Sequence, residues 1–190
     1  MMLKKRLLFI EKMPTLNVSN LIVLDESGCH LNMTLSHARA YGGKRVKMPT
    51  AFVRGPKISI IGAISIYGVE AAMYGEWNTD ADIFTAFIKK QLAPKLSPGK
   101  IIIMDNINFH SCSEAVNSIY SAGASIINLP PYSPELSPIE NMWSKVKQIL
   151  KKLEPRTLKS FSMGIKQAFH AVTKQDLLGW FKHCGYCVEQ

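Results

Sequence analysis

Ile101-Ile102-Ile103-Met104-Asp105 is a run of four apolar residues closed by an acid, and Leu21-Ile22-Val23-Leu24-Asp25 repeats the pattern upstream. Unbroken apolar runs of this length suit central strands buried on both faces, as in parallel pairing. Between them, Ile58–Tyr67 and Val69–Tyr74 flank Gly68 and read as a β-hairpin. Thr79 to Leu92 reads as a helix. Thr79 with Asp82 forms its capping box, and Ile83, Phe84, Phe87, Ile88 and Leu92 make its apolar face. After Asp105, Ser113 to Ala122 is helical and Gly123 ends it. Ala124–Leu129 is a short strand, and Pro130–Ser137 is a loop stiffened by three prolines. Pro138–Leu153 is a strong amphipathic helix that Pro155 stops, and Thr157–Val172 and Gln175–His183 are two more. The order is three strands, helix, strand, helix, strand, helices, which predicts an α/β fold with a mixed five-stranded sheet and helices on both faces. A right-handed crossover lays the Asp105 strand parallel to the Asp25 strand. Two carboxylates from distant positions then meet at the carboxyl ends of neighbouring strands, where open α/β sheets place their ligands.

Glu140 is the third acid, at the end of Leu129-Pro-Pro-Tyr-Ser-Pro-Glu-Leu-Ser-Pro-Ile-Glu140. Hard divalent cations such as Mg²⁺ take a few carboxylates and keep several waters. Two such ions held ~3.5–4 Å apart serve the attacking and leaving oxygens of a displacement at phosphorus. Asp25 is the candidate bridging ligand, with Asp105 and Glu140 each holding one ion from the side. Each acid also has a plain structural role open to it. Asp25 and Asp105 could cap strand ends through Asx turns, and Ser137-Pro138-Ile139-Glu140 is itself a capping box with Pro at the first helical position. Three acids in these contexts outweigh the separate local roles, and together they form a candidate metal cage. Unneutralised, they repel, so at least one should have a raised pKa. Glu26 faces the other side if the strand continues. Asn106 and His110 are accessory candidates, for positioning a ligand and for orienting phosphate or water. Turn formation and the start of the next helix are their structural alternatives.

The 190-residue chain suits one domain, and its formal net charge of +9 is unevenly spread. Residues 1–60 carry ten Lys/Arg against three acids, 61–137 four against seven, and 138–190 nine against four. Basic flanks around an acidic centre suit a protein that grips a polyanion and holds metal between its grips. Arg39, Lys44, Arg45, Lys47, Arg54 and Lys57 form a basic stretch without an acid, expected to straddle a nucleic-acid backbone. Lys145, Lys147, Lys151 and Lys152 lie off the apolar stripe of the Glu140 helix and are further candidates for phosphate contact. A solvated surface is the alternative for both sets. Cys29, Cys112, Cys184 and Cys187 are scattered, which argues for free thiols and against a zinc site. No apolar stretch approaches the ~20 residues of a membrane helix. Met1–Ile10 reads as a short amphipathic helix rather than a signal peptide.

Asp25-Glu-Ser-Gly, Asp105-Asn-x-x-Phe-His110 and Leu129-Pro-Pro-Tyr-Ser-Pro-x-Leu-x-Pro-Ile-Glu140-x-x-Trp143 resemble the three signature blocks of DDE transposases. The bacterial insertion-sequence branch of the mariner-like superfamily is the most similar group. The resemblance runs from about Leu21 to Tyr186, and its proline-rich block is its most specific part. Glu135 and Ser137 stand where that group often has Asp and Asn. It implies a ribonuclease H-like catalytic domain over residues 21–190, after a helical lead-in of residues 1–20. The helix-turn-helix region that precedes this domain in full-length relatives is not in the sequence. Asp25, Asp105 and Glu140 are the implied catalytic acids, with two Mg²⁺ or Mn²⁺ ions. The implied activity is cleavage of double-stranded DNA at transposon ends and strand transfer into target DNA, in the cytoplasm on the nucleoid. A DNA-binding partner from an upstream reading frame and a homodimer are the expected assemblies. Two rival readings stay open: a silent or domesticated remnant that binds DNA or a partner transposase without cutting, and a host ribonuclease H-like nuclease.

Overall fold

A computed structural model describes residues 2–35, 41–43, 47, 55–105 and 113–188. Helix α1 (Met2–Lys12) leads through two short 3-10 turns into strand β1 (Leu21–His30), followed by β2 (Lys57–Ser65) and β3 (Gly68–Gly75). Then come α2 (Ala81–Phe87), β4 (Ile101–Met104), α3 (Ser113–Ser121), β5 (Ser125–Asn128), α4 (Pro138–Leu153), α5 (Leu158–His170) and α6 (Lys174–His183). The five strands form one sheet in the order β3-β2-β1-β4-β5. β1, β2 and β3 pair antiparallel, whereas β4 lies parallel to both β1 and β5. This is the mixed α/β sheet expected from the apolar runs.

Strand periodicity sorts the core into two layers. Leu21, Val23, Ile60, Ile64 and Ile103 face Met142, Trp143, Val146 and Leu150 of α4, with Phe161 and Phe181 of α5 and α6 behind them. Ile22, Leu24, Ile61, Ile102 and Met104 face Phe84 and Phe87 of α2 and Ile119 of α3. Helices therefore cover both faces of the sheet.

Three local expectations change. β1 does not stop at Asp25 but runs on to His30, because β2 continues to pair with it as far as His30↔Lys57. The cap of α2 is Asp80, whose carboxylate accepts from the Ile83 N–H at 2.9 Å, so the Thr79–Asp82 capping box is not formed. The same helix widens into a π turn over Ile88–Leu92 and tightens again over Ala93–Lys95, where Pro94 cannot continue it. Finally, Ser137 precedes α4 without any side-chain capping bond, so Ser137 and Glu140 do not form a capping box either. Pro138, Ile139 and Met142 anchor the start of α4 by burial instead.

Candidate active site

The parallel pairing of β1 with β4 ends at Leu24↔Met104, and the next residue on each chain is an aspartate. Asp25 and Asp105 thus stand side by side where β1 and β4 part. Asp25 shares the α4 face of the sheet with Leu21 and Val23, while Glu26 points to the α2 face, as its parity requires. Glu140 sits exposed in the first turn of α4. Freed from a capping role, it opens onto a cavity of about 340 Å³ that it shares with Asp25, Asp105 and the loop Leu129–Pro134. Three separate elements deliver the three acids to one cavity.

Asp25 is held from behind. The indole N–H of Trp143, one turn along α4 from Glu140, donates to Asp25 Oδ2 at 3.1 Å. Directly across the ladder from Asp25 stands Gly62 of β2. A Cβ there would come within 2.7 Å of the Trp143 ring, so only glycine leaves room for the indole to reach the aspartate. Neither residue stood out as a site residue in the sequence. A glycine inside an apolar strand, and a tryptophan three positions after a helical acid, were the signals available.

Burial pushes the Asp25 carboxyl up to about 7, and repulsion from Glu26 and Glu140 adds to the rise. The Glu26 backbone and the Trp143 indole pull the other way. A half-buried carboxylate crowded by like charge is stabilised by a cation. Among the described residues no three His, Cys, Asp or Glu converge tightly enough to form a single-ion cage. The donor set itself, carboxylate oxygens around a cavity with no thiol or imidazole among the described lining residues, fits hard divalent ions.

The basic candidates divide. Arg39, Lys44, Arg45 and Arg54, like Asn106 and His110, lie outside the described residues. Lys47 and Lys57 are exposed. Lys145 is bonded to Asp176 of α6 at 2.5 Å, which gives it a structural partner. Lys147 and Lys151 follow Glu140 at helical spacing on the same side of α4, Lys147 close enough to Cys29 to influence it, and Lys152 is exposed. Cys29, Cys184 and Cys187 are free thiols. No helix among the described residues is long and apolar enough to cross a membrane.

The mixed sheet thus brings acids from β1, the end of β4 and the start of α4 around one cavity. Residues 20–162 match the model of the DDE superfamily endonucleases, and the chain belongs to that enzyme family. A comparison with curated proteins yields no match. The fold is the ribonuclease H-like fold of the Mos1 mariner transposase catalytic domain. The chain superposes on that isolated domain with a TM-score of 0.67 at 12% identity, covering 96% of this chain and 84% of the other. Against the Mos1 paired-end complex with left transposon end the TM-score is 0.73 at 13% identity, covering 95% of this chain and 56% of the other. The Mos1 paired-end complex with Mg gives 0.73 at 14%, with 96% and 60% covered. The chain thus spans a little over half the length of the Mos1 transposase in those complexes.

Proposed function

We propose that this chain is the metal-dependent catalytic domain of a transposase, which cuts a DNA strand and joins the freed 3′ end to target DNA. The observation that carries the proposal is the delivery of Asp25, Asp105 and Glu140 by three elements to one cavity in a chain of the DDE family. The assignment to the insertion-sequence branch rests on the block Leu129 to Trp143. Mos1 structures with Mg and with transposon-end DNA support the same choice of ion and substrate. Residues 21–190 form the catalytic domain, with residues 1–20 as a helical lead-in.

In this reading Asp25 is the shared ligand, while Asp105 and Glu140 each complete one side. Two bound divalent ions would supply charge stabilisation for the attacking and leaving oxygens. Trp143 fixes Oδ2 of Asp25 from the core side, which limits the carboxylate's rotation and keeps its remaining lone pairs for the cavity. Asn106 and His110 follow directly on Asp105 in sequence and are the accessory candidates for holding phosphate or water. Exposed Lys47, Lys57 and Lys152, with Lys147 and Lys151, neutralise phosphates and position the duplex without reading its sequence. A DNA-binding partner and a homodimer are the proposed assemblies. The working location is the cytoplasm, on the nucleoid.

The test is nicking of supercoiled plasmid by the purified chain in Mg²⁺ or Mn²⁺, beside Asp105→Ala. Metal-dependent nicking that falls at least ~10²-fold in the variant is expected, since the variant removes a ligand side chain from the reacting centre. A folded chain that binds the metal and DNA but never nicks would instead support the binding-only remnant. Preference for RNA–DNA hybrid over transposon ends would support the host nuclease.

A further inference from the structure

Tyr132 stands at the rim of the acid-lined cavity, 87% exposed, with its backbone at φ +55°. The left-handed region disfavours every side chain with a Cβ, and it persists at a tyrosine only where the surroundings enforce it. Here they do. Pro130, Pro131 and Pro134 fix φ on both sides. The Leu129 N–H donates to the Met104 carbonyl at 2.8 Å, tying the loop to the residue just before Asp105. Ser133 Oγ donates to the Pro131 carbonyl at 3.3 Å, and the Tyr186 hydroxyl donates to the Leu136 carbonyl at 3.0 Å. Leu129, Ser133 and Leu136 are all buried. The loop is therefore a clamped frame whose apex is an aromatic ring turned outward. Among the described residues that ring makes no hydrogen bond and no ring contact. Tyr41, Tyr67 and Tyr120 are also exposed, yet none of them lines the cavity.

We infer that Tyr132 is a stacking platform for an unpaired nucleobase at the rim of the acid-lined cavity. The inference rests on the proposed function, which puts a DNA strand in that cavity. A base inside a duplex is covered on both faces by its neighbours, so the ring serves a base at a strand end, nick or overhang. Stacking of this kind tolerates any base, because each presents a π-face. The clamped backbone keeps the ring's attachment point at the cavity rim, so only the side-chain torsions are left to settle on binding.

The test uses the full chain with Ca²⁺ in place of Mg²⁺, so that the carboxylates are neutralised, with an oligonucleotide carrying 2-aminopurine in a short single-stranded overhang. A blunt duplex of the same length is the comparison. The wild type should bind the overhang more tightly than the blunt duplex and quench the fluorescent base. Tyr132→Phe should keep both properties. Tyr132→Ala and Tyr132→Gly should lose the quench and weaken overhang binding roughly tenfold, with blunt-duplex binding unchanged. Glycine accepts the left-handed backbone, so its variant separates the missing ring from a disturbed loop. Quenching and overhang preference that survive in both small variants would overturn the inference while leaving the DNA-binding reading intact. Failure of Tyr132→Phe alongside them would also overturn it, by assigning the effect to the hydroxyl. A wild type that binds neither DNA would sink the proposed function and this inference with it.

Discussion

Asp25 is the residue on which the site's electrostatics turn, because its carboxyl is desolvated by burial and crowded by Glu26 and Glu140. Its carboxyl is pushed from 3.8 to about 7 in the folded chain, burial being the larger cause and Glu26 and Glu140 the lesser. Between those two values the folded chain holds a proton that the unfolded chain has lost. The stabilising contribution is therefore full below pH 3.8 and disappears as pH rises to about 7. At about 1.4 kcal/mol per pKa unit the whole effect is bounded at about 4 kcal/mol. Asp25→Asn keeps an acceptor for the Trp143 N–H but cannot ionise. We expect the metal-free variant to be more stable than the wild type at pH 8 by roughly 1–3 kcal/mol, and close to it at pH 4. Mg²⁺ or Mn²⁺ should raise the melting temperature of the wild type at pH 8 and hardly move that of the variant. Urea melts at the two pH values, with and without metal, check this; a variant less stable than wild type at pH 8 would show that the carboxylate's repulsion is relieved some other way.

Among the elements, α4 carries the most: its first turn presents Glu140, its second holds Asp25, and its flank is tied to α6. That tie is Lys145 to Asp176, and Asp176 also caps α6, accepting from the Thr173 N–H at 2.8 Å. The Lys145 ammonium, with Thr173, holds the Asp176 carboxyl down at about 2. The folded value lies below the unfolded one, so this stabilisation is present above pH 3.8 and is lost as pH falls toward 2. Asp176→Ala should cost roughly 1–2 kcal/mol at pH 7, mostly as a lost cap because the pair is partly exposed. The difference from wild type should shrink in melts at pH 2.5. Elements of this kind were readable in the sequence wherever the signal was local. The apolar runs before Asp25 and Asp105 gave two central strands, and the period of α4 gave its buried face. What could not be read there depended on partners far along the chain. The apolar run stops at Leu24, and Glu26-Ser27-Gly28 continues the strand because β2 pairs with it. Asp80 and Thr79 are adjacent candidates for one cap, and local preference alone ranks them almost equally. The bond from Trp143 to Asp25 joins residues 118 positions apart, and the glycine that permits it sits on a third element.

For the whole molecule the deciding quantity is where the charge lies. The net +9 is carried by the two ends of the sequence, while the middle, which supplies Asp105 and the cavity loop, is acidic. A polyanion is then attracted to the flanks and repelled from the centre until cations fill the acid-lined cavity. Binding and cutting should separate in consequence: DNA association needs the lysines and arginines, and only cleavage needs the metal. Each phosphate neutralised releases condensed counterions, so the logarithm of affinity falls linearly with the logarithm of salt, with a slope near −0.9 per contact on duplex DNA. We expect a steep slope for the wild type, little dependent on DNA sequence, and a slope shallower by roughly two for the double variant Lys147→Ala/Lys151→Ala. Lys145→Ala should leave the slope where it was, since Asp176 already engages that ammonium. Fluorescence-anisotropy titrations of one duplex across a range of NaCl concentrations measure all three. Equal slopes for wild type and double variant would take α4 out of the DNA path and leave the basic stretch from Arg39 to Lys57 as the grip.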